Sequence, residues 1–182
     1  RDRSNSIGWR TTSGRVATWV GSQPMNEVKF WIAVGLGSGL SPKAPGTTGT
    51  LGVLPLLVLM WDASVLAWTT GLVILCALSI WSIPEAGRRL GERDHGQIVI
   101  DEWAGMWRGA FGLNTLTELT VGMGLLIGFI GFRIFDIAKP WAVSWCERKI
   151  PGAWGVLMDD IAAGGYVLIL ALVFGMLSGH PG

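Results

Sequence analysis

Two stretches of this chain stay uncharged for long enough to cross a lipid bilayer. Residues 63–84 (ASVLAWTTGLVILCALSIWSIP) carry no charge over 22 positions and residues 161–178 (IAAGGYVLILALVFGMLS) none over 18, against the roughly 20 apolar residues a helix needs to span ~30 Å of hydrocarbon. Composition agrees: half of the 182 residues are hydrophobic and 15% are charged, where soluble domains carry about 25% charged residues. A disordered chain is excluded by the same figures. Segments 51–61, 102–112 and 119–132 are apolar but short, and 102–112 contains Arg108. Each alone fits a buried helix as well as a membrane segment. The expected fold is all-α, a polytopic membrane helical bundle with short helices, preceded by a polar tail over residues 1–28 and occupying 29–182. No strand pattern or internal repeat is visible. No secretory signal peptide is expected, because residues 1–26 lack an apolar run. A net charge of +1 gives no basic field for a nucleic-acid partner, and Cys76 and Cys146 are too far apart for a metal or disulfide motif.

Four polar, glycine-marked islands separate the apolar segments: GLGSGLSPKAPGTTGT at 35–50, EAGRRLGERDHGQIVIDE at 85–102, FRIFDIAKPW at 132–141 and GAWGVLMDDIAAG at 152–164. If the apolar segments pair as hairpins turning at Asp62 and near Asn114 to Glu118, all four islands fall on one side of the bilayer. Arg108 lies within an apolar segment, and the other 13 Lys and Arg fall on the side of the tail and islands. The positive-inside rule then places the islands in the cytoplasm, with Trp61, Trp81, Trp103, Trp141 and Trp145 near the interfaces.

Five carboxylates sit at or beside the ends of apolar segments: Asp101, Glu102, Asp136, Asp159 and Asp160. Ionisable groups at a membrane boundary usually mark function. A cluster of hard oxygen ligands suits Mg²⁺, which takes one or two protein carboxylates and completes its shell with water and phosphate oxygens. A plainer reading makes Asp159 and Asp160 the N-cap and first turn of a helix starting at Ile161. Arg133, Asp136 and Lys139 share one helical face before Pro140, either holding a metal and a phosphoryl group together or forming an ion-pair ladder worth about 0.2–0.5 kcal/mol per pair. In the first island, Lys43, the hydroxyls of Thr47, Thr48 and Thr50, and Gly46 and Gly49 precede a helix expected near Leu51. That is the make-up of an anion site, although a turn with Thr50 as N-cap explains it equally.

Only two histidines exist, and His180 lies three residues from the C-terminus, so phosphatase chemistry through a histidine pair is not expected. His95 is expected in the turn Asp94-His95-Gly96. No Cys-x5-Arg loop, G-x-S-x-G elbow or Walker P-loop is present.

The four islands, in this order and spacing, closely resemble the bacterial phosphatidylglycerophosphatase A family, from about Lys29 to Ser178. The resemblance implies a multi-pass protein of the bacterial inner membrane, with its site facing the cytoplasm. It also implies an Mg²⁺-dependent phosphomonoesterase that converts phosphatidylglycerophosphate to phosphatidylglycerol in phospholipid biosynthesis. Carried over by motif, it assigns metal and catalytic roles to Asp101, Glu102, Asp136, Asp159 and Asp160, and phosphate binding to Lys43, Thr47, Thr50, Arg133 and Lys139. Water activated at the metal is favoured over direct carboxylate attack. The bilayer and the phospholipid substrate are the implied partners, and an oligomer is compatible with the sequence. Two alternatives stay open: a phosphatase of another lipid phosphomonoester such as phosphatidic acid, and a non-enzymatic transporter or assembly subunit.

Overall fold

The computed structural model describes residues 24–179. Residues 1–23, which hold most of the expected tail and the stretch read as free of a signal peptide, lie outside the described residues, as does His180. Among the described residues seven α-helices follow one another: α1 Pro24–Ala33, α2 Pro45–Met60, α3 Val65–Leu90, α4 Ile100–Leu116, α5 Val121–Ala138, α6 Trp141–Lys149 and α7 Ala153–Leu177, with a short 3-10 segment at Gly35–Leu40. No strand occurs among the described residues. Three helices, α3, α5 and α7, are long and apolar enough to cross a membrane, and α2 is apolar but shorter. Their outward residues, such as Val73, Ile74, Ile130, Ile134, Leu170 and Phe174, are exposed. Bare apolar surface on helices of this length suits contact with hydrocarbon.

The hairpin arrangement read from the sequence is present. Ser64 caps α3 with its side chain accepting from Ala67 N at 3.3 Å, so the chain reverses over Trp61 to Ser64. The second reversal follows α4, and the two turns are tied: Asn114 Nδ2 donates to the Trp61 carbonyl at 2.8 Å. The Trp61 ring also lies so close to Gly124 that no Cβ fits there. At the opposite end Val99 N donates to Ala33 O at 2.9 Å, and side chains from α2, α4, α5 and α7 meet.

Helix α4 occupies the centre, with Ile100, Trp103, Met106, Trp107, Ala110 and Leu113 buried. Its main partner is α7. A methyl group added at Gly164 would overlap the Gly105 carbonyl oxygen, and one at Gly105 would lie 2.5 Å from the Asp160 carbonyl oxygen. Small residues let two backbones touch where no side chain fits, which is how membrane helices pack closely.

Several expected boundaries move. Helix α7 begins at Ala153, eight residues before Ile161, so Asp159 and Asp160 stand in its second turn and are not its cap. Helix α2 begins at Pro45 behind Ala44, whose φ of 47° is left-handed, so Thr50 lies inside the helix and is fully buried. Lys139 does not continue the face of Arg133 and Asp136: it is the left-handed C-cap of α5, with φ 43°. Trp103 is a core residue, with its indole N–H donating to Gly49 O at 2.8 Å. Trp81, Trp141 and Trp145 are exposed, as an interfacial position requires.

The backbone contact between α4 and α7 makes a paired prediction. Gly164→Ala is expected to destabilise the protein by about 1–3 kcal/mol through overpacking. Gly122→Ala, where nothing lies within 4 Å of the added methyl group, is expected to leave the melting temperature in detergent unchanged.

Candidate active site

The crossing of α4 over α7 sets the site. Asp101 stands one turn before Gly105, and Asp160 one turn before Gly164. The two carboxylates are therefore brought together by the point where the backbones touch. Asp101, Asp159 and Asp160 are all buried, and the carboxylates of Asp101, Glu102, Asp136 and Asp159 are all near enough to act on that of Asp160. Glu102, the next residue of α4, points towards α2 and α5. Thr50 Oγ1 donates to its Oε2 at 2.6 Å, and Arg133 Nη1 lies 3.3 Å from the same oxygen. That guanidinium nitrogen also donates to Asp136 Oδ2 at 2.6 Å, so Glu102 and Asp136 share one cation. Lys139 Nζ lies 3.5 Å from Asp159 Oδ2, which its departure from the α5 helix makes possible. Asp160 N donates to Asp159 Oδ1 at 3.1 Å.

The structure thus brings together the five carboxylates and Thr50, Arg133 and Lys139. It does not bring in Lys43, which is exposed on the bend before α2 and forms no ion pair with a described residue, or Thr47, which is partly exposed. Thr48 is spent on its own helix, its hydroxyl donating to Pro45 O at 3.0 Å. His95 lies in the expected turn, its Nδ1 accepting from Gln97 N at 3.2 Å. Two residues gain a place that their sequence context does not give them. Gly46 is a point of close approach, since a Cβ there would sit 2.6 Å from Glu102 Oε1 and 3.2 Å from an Arg133 nitrogen. Asp94, exposed before α4, is near enough to act on Asp101 and Glu102. The spacing of Gly46 and Thr50 by one helical turn is the signal for the first; Asp94 has none.

Five carboxylates face two cations here, so the cluster is short of positive charge. Asp101 Oδ1 is buried without a hydrogen-bond partner. Burial above all, then Glu102, Asp94 and Asp159, pushes the Asp101 carboxyl well above its usual range. Burial likewise lifts Glu102 to about 8, with the Thr50 hydrogen bond and Arg133 opposing the shift. Such a cluster needs either protons or a further cation. Among the described residues no three His, Cys, Asp or Glu side chains enclose a metal position. An open set of hard oxygens with one orphaned carboxylate oxygen nevertheless fits Mg²⁺, which leaves most of its shell to water and phosphate.

A bundle with membrane-spanning helices whose buried end gathers acids beside an arginine and a lysine is built as a membrane phosphatase. The chain belongs to the Phosphatidylglycerophosphatase A family, whose model it matches over residues 31–175. It is 40% identical over 133 residues to Phosphatidylglycerophosphatase A of Escherichia coli (strain K12), covering 73% of this chain and 75% of that protein. It is 30% identical over 149 residues to the Haemophilus influenzae protein of the same name, covering 80% and 89%. A Bacteroides thetaiotaomicron relative provisionally named a phosphatidylinositol-3-phosphatase is 37% identical over 151 residues, covering 78% and 90%. No solved structure matches the chain. The protein is accordingly an enzyme, and the transporter and assembly-subunit alternatives are set aside.

Gly46→Ala places a methyl group where the Glu102 carboxylate and Arg133 guanidinium now meet. It is expected to lower phosphatase turnover at least about tenfold through misplacement of those groups, while the helical circular dichroism in detergent stays that of the wild type.

Proposed function

We propose that this protein is an Mg²⁺-dependent phosphatase of phosphatidylglycerophosphate, releasing phosphatidylglycerol and inorganic phosphate for phospholipid synthesis. The observation that carries the reading is the gathering of Asp101, Glu102, Asp136, Asp159 and Asp160 with Arg133 and Lys139 at one end of the spanning helices. There a phosphomonoester head group reaches the acids while its acyl chains remain in the leaflet. The distribution of Lys and Arg supports a cytoplasmic site in a bacterial inner membrane.

Arg133 and Lys139 supply positive charge to the phosphoryl oxygens and balance the charge that develops as the ester bond breaks. The first turn of α2, in which Gly46 lies beside Glu102 and Arg133, adds backbone N–H groups of the kind that bind anions. Asp101, Asp159 and Asp160 are the residues that would hold Mg²⁺, with Glu102 and Asp136 anchored on Arg133 beside them. When bound, the ion supplies Lewis acidity and the missing countercharge. In the hydrolysis a water oxygen bonds to phosphorus, the phosphorus bond to the lipid oxygen breaks, and a carboxylate accepts the proton of the attacking water. The lipid oxygen leaves with a proton as the free hydroxyl.

A second reading, a phosphatase of another phosphomonoester lipid, is favoured by the 37% identity to the relative provisionally named for phosphatidylinositol 3-phosphate. The test is phosphate release by the purified protein from phosphatidylglycerophosphate, phosphatidic acid and phosphatidylinositol 3-phosphate, each with Mg²⁺ and with EDTA. Phosphatidylglycerophosphate is expected to turn over fastest, with activity lost in EDTA and restored by Mg²⁺. Asp101→Asn and Asp159→Asn are expected to stay folded and to lose at least about a hundredfold in kcat. Faster release from either other lipid, or near-normal turnover in both variants, overturns the reading.

A further inference from the structure

Arg108 is the one cation within the apolar stretch of α4, and the site has no use for it. It lies seven residues beyond Asp101, about 10 Å further along the helix axis, on the stripe Asp101, Gly105, Arg108 and Gly112 that packs against α7. Among the described residues no carboxylate lies within ion-pair distance of it. Its Nη1 instead donates to the carbonyl oxygen of Ile161 at 3.0 Å, the residue that follows Asp159 and Asp160. Room for this contact comes from Gly165, where a Cβ would sit 3.2 to 3.5 Å from the guanidinium. A carbonyl has two lone pairs, so Ile161 can accept from Arg108 and still serve its own helix. An unpaired guanidinium among apolar helices is costly, and a fork of fixed geometry spent on one backbone oxygen orients that backbone.

We propose that Arg108 is a positioning residue: its bond to the Ile161 carbonyl fixes the turn of α7 that carries Asp159 and Asp160 against the turn of α4 that carries Asp101. The inference rests on those carboxylates being catalytic. The Gly105–Gly164 contact sets how near the two helices come, and Arg108 sets their rotation and slide. Without it the helices remain packed, but the acids on their two turns lose their mutual register.

The test uses Arg108→Met, Arg108→Lys, Gly165→Ala and the double variant Arg108→Met with Gly165→Ala, assayed on phosphatidylglycerophosphate. Arg108→Met is expected to lower kcat about tenfold with KM held within about twofold, and Arg108→Lys, which keeps a donor on the same face, to recover part of the loss. Gly165→Ala is expected to lower kcat in the wild-type background and to have no further effect in Arg108→Met, since both act through one contact. A readout independent of substrate is the distance between spin labels at Gly96→Cys and Trp154→Cys, with Cys76 and Cys146 replaced by alanine. That distance distribution is expected to broaden in Arg108→Met. An unchanged kcat, a rise in KM alone, additive effects of the two substitutions, or an unaltered distance distribution overturns the proposal. A wild-type protein inactive on this lipid would instead overturn the functional reading, and the label distances would still decide the role of Arg108.

Discussion

The contact of two backbones at Gly105 and Gly164 is the constraint from which the rest of the molecule follows. Helices separated by ordinary side chains stand about 8–10 Å apart, and bulky residues at the crossing would hold the two backbones away from each other. With both glycines bare, α4 and α7 close on one another, and the residues one turn earlier, Asp101 and Asp160, come together without help from a loop. The site is therefore a product of helix packing. Rigid elements hold it, which suits groups that must be placed to within a fraction of an ångström.

That closeness creates an electrostatic debt which the surrounding helices discharge in part. Arg133 is shared between Glu102 and Asp136, Lys139 reaches Asp159, and Thr50 donates to Glu102. Each of these partners comes from a different turn of α2 or α5, so those helices are recruited to the site by charge as well as by apolar packing. Asp101 keeps a buried oxygen without a protein partner, a state that in native structures calls for an explanation.

Much of this was legible in the amino-acid sequence, because the bilayer leaves so few choices. Uncharged length located two of the three long apolar helices, α3 and α7, while α5 stayed ambiguous because Arg133 and Asp136 interrupt it, and the hairpin pattern brought the islands to one end. The family motifs named all five acids. The misread details share one cause, which is that local rules were overridden by tertiary contacts. Asp159 and Asp160 look like a helix cap, yet α7 starts eight residues before Ile161, with Gly155, Val156 and Leu157 buried against the bundle. Thr50 has the chemistry of an N-cap but is drawn inward by Glu102. Lys139 has helical spacing from Arg133 and Asp136, but the approach of Pro140 ends the helix, and a left-handed turn carries the lysine to α7. Trp103 has the position of an interfacial residue but behaves as the core filler that Trp can also be, its indole N–H donating to the Gly49 carbonyl. Gly46 was legible only through its one-turn spacing from Thr50, since its close neighbours Glu102 and Arg133 are distant in sequence, and Asp94 matters through position alone, which no local pattern announces.

The unequal lengths of the spanning helices carry a further consequence. At 1.5 Å per residue, the 18 residues of α5 reach about 27 Å, whereas the 26 of α3 and 25 of α7 reach well beyond the hydrocarbon. Arg133 and Asp136 fall in the last two turns of this shortest member, so its apolar part is shorter still. A segment longer than the hydrocarbon is accommodated by tilting and a shorter one by local thinning of the bilayer, at fractions of a kcal/mol per ångström. Any thinning would therefore fall around α5, the helix that carries Arg133 and Asp136.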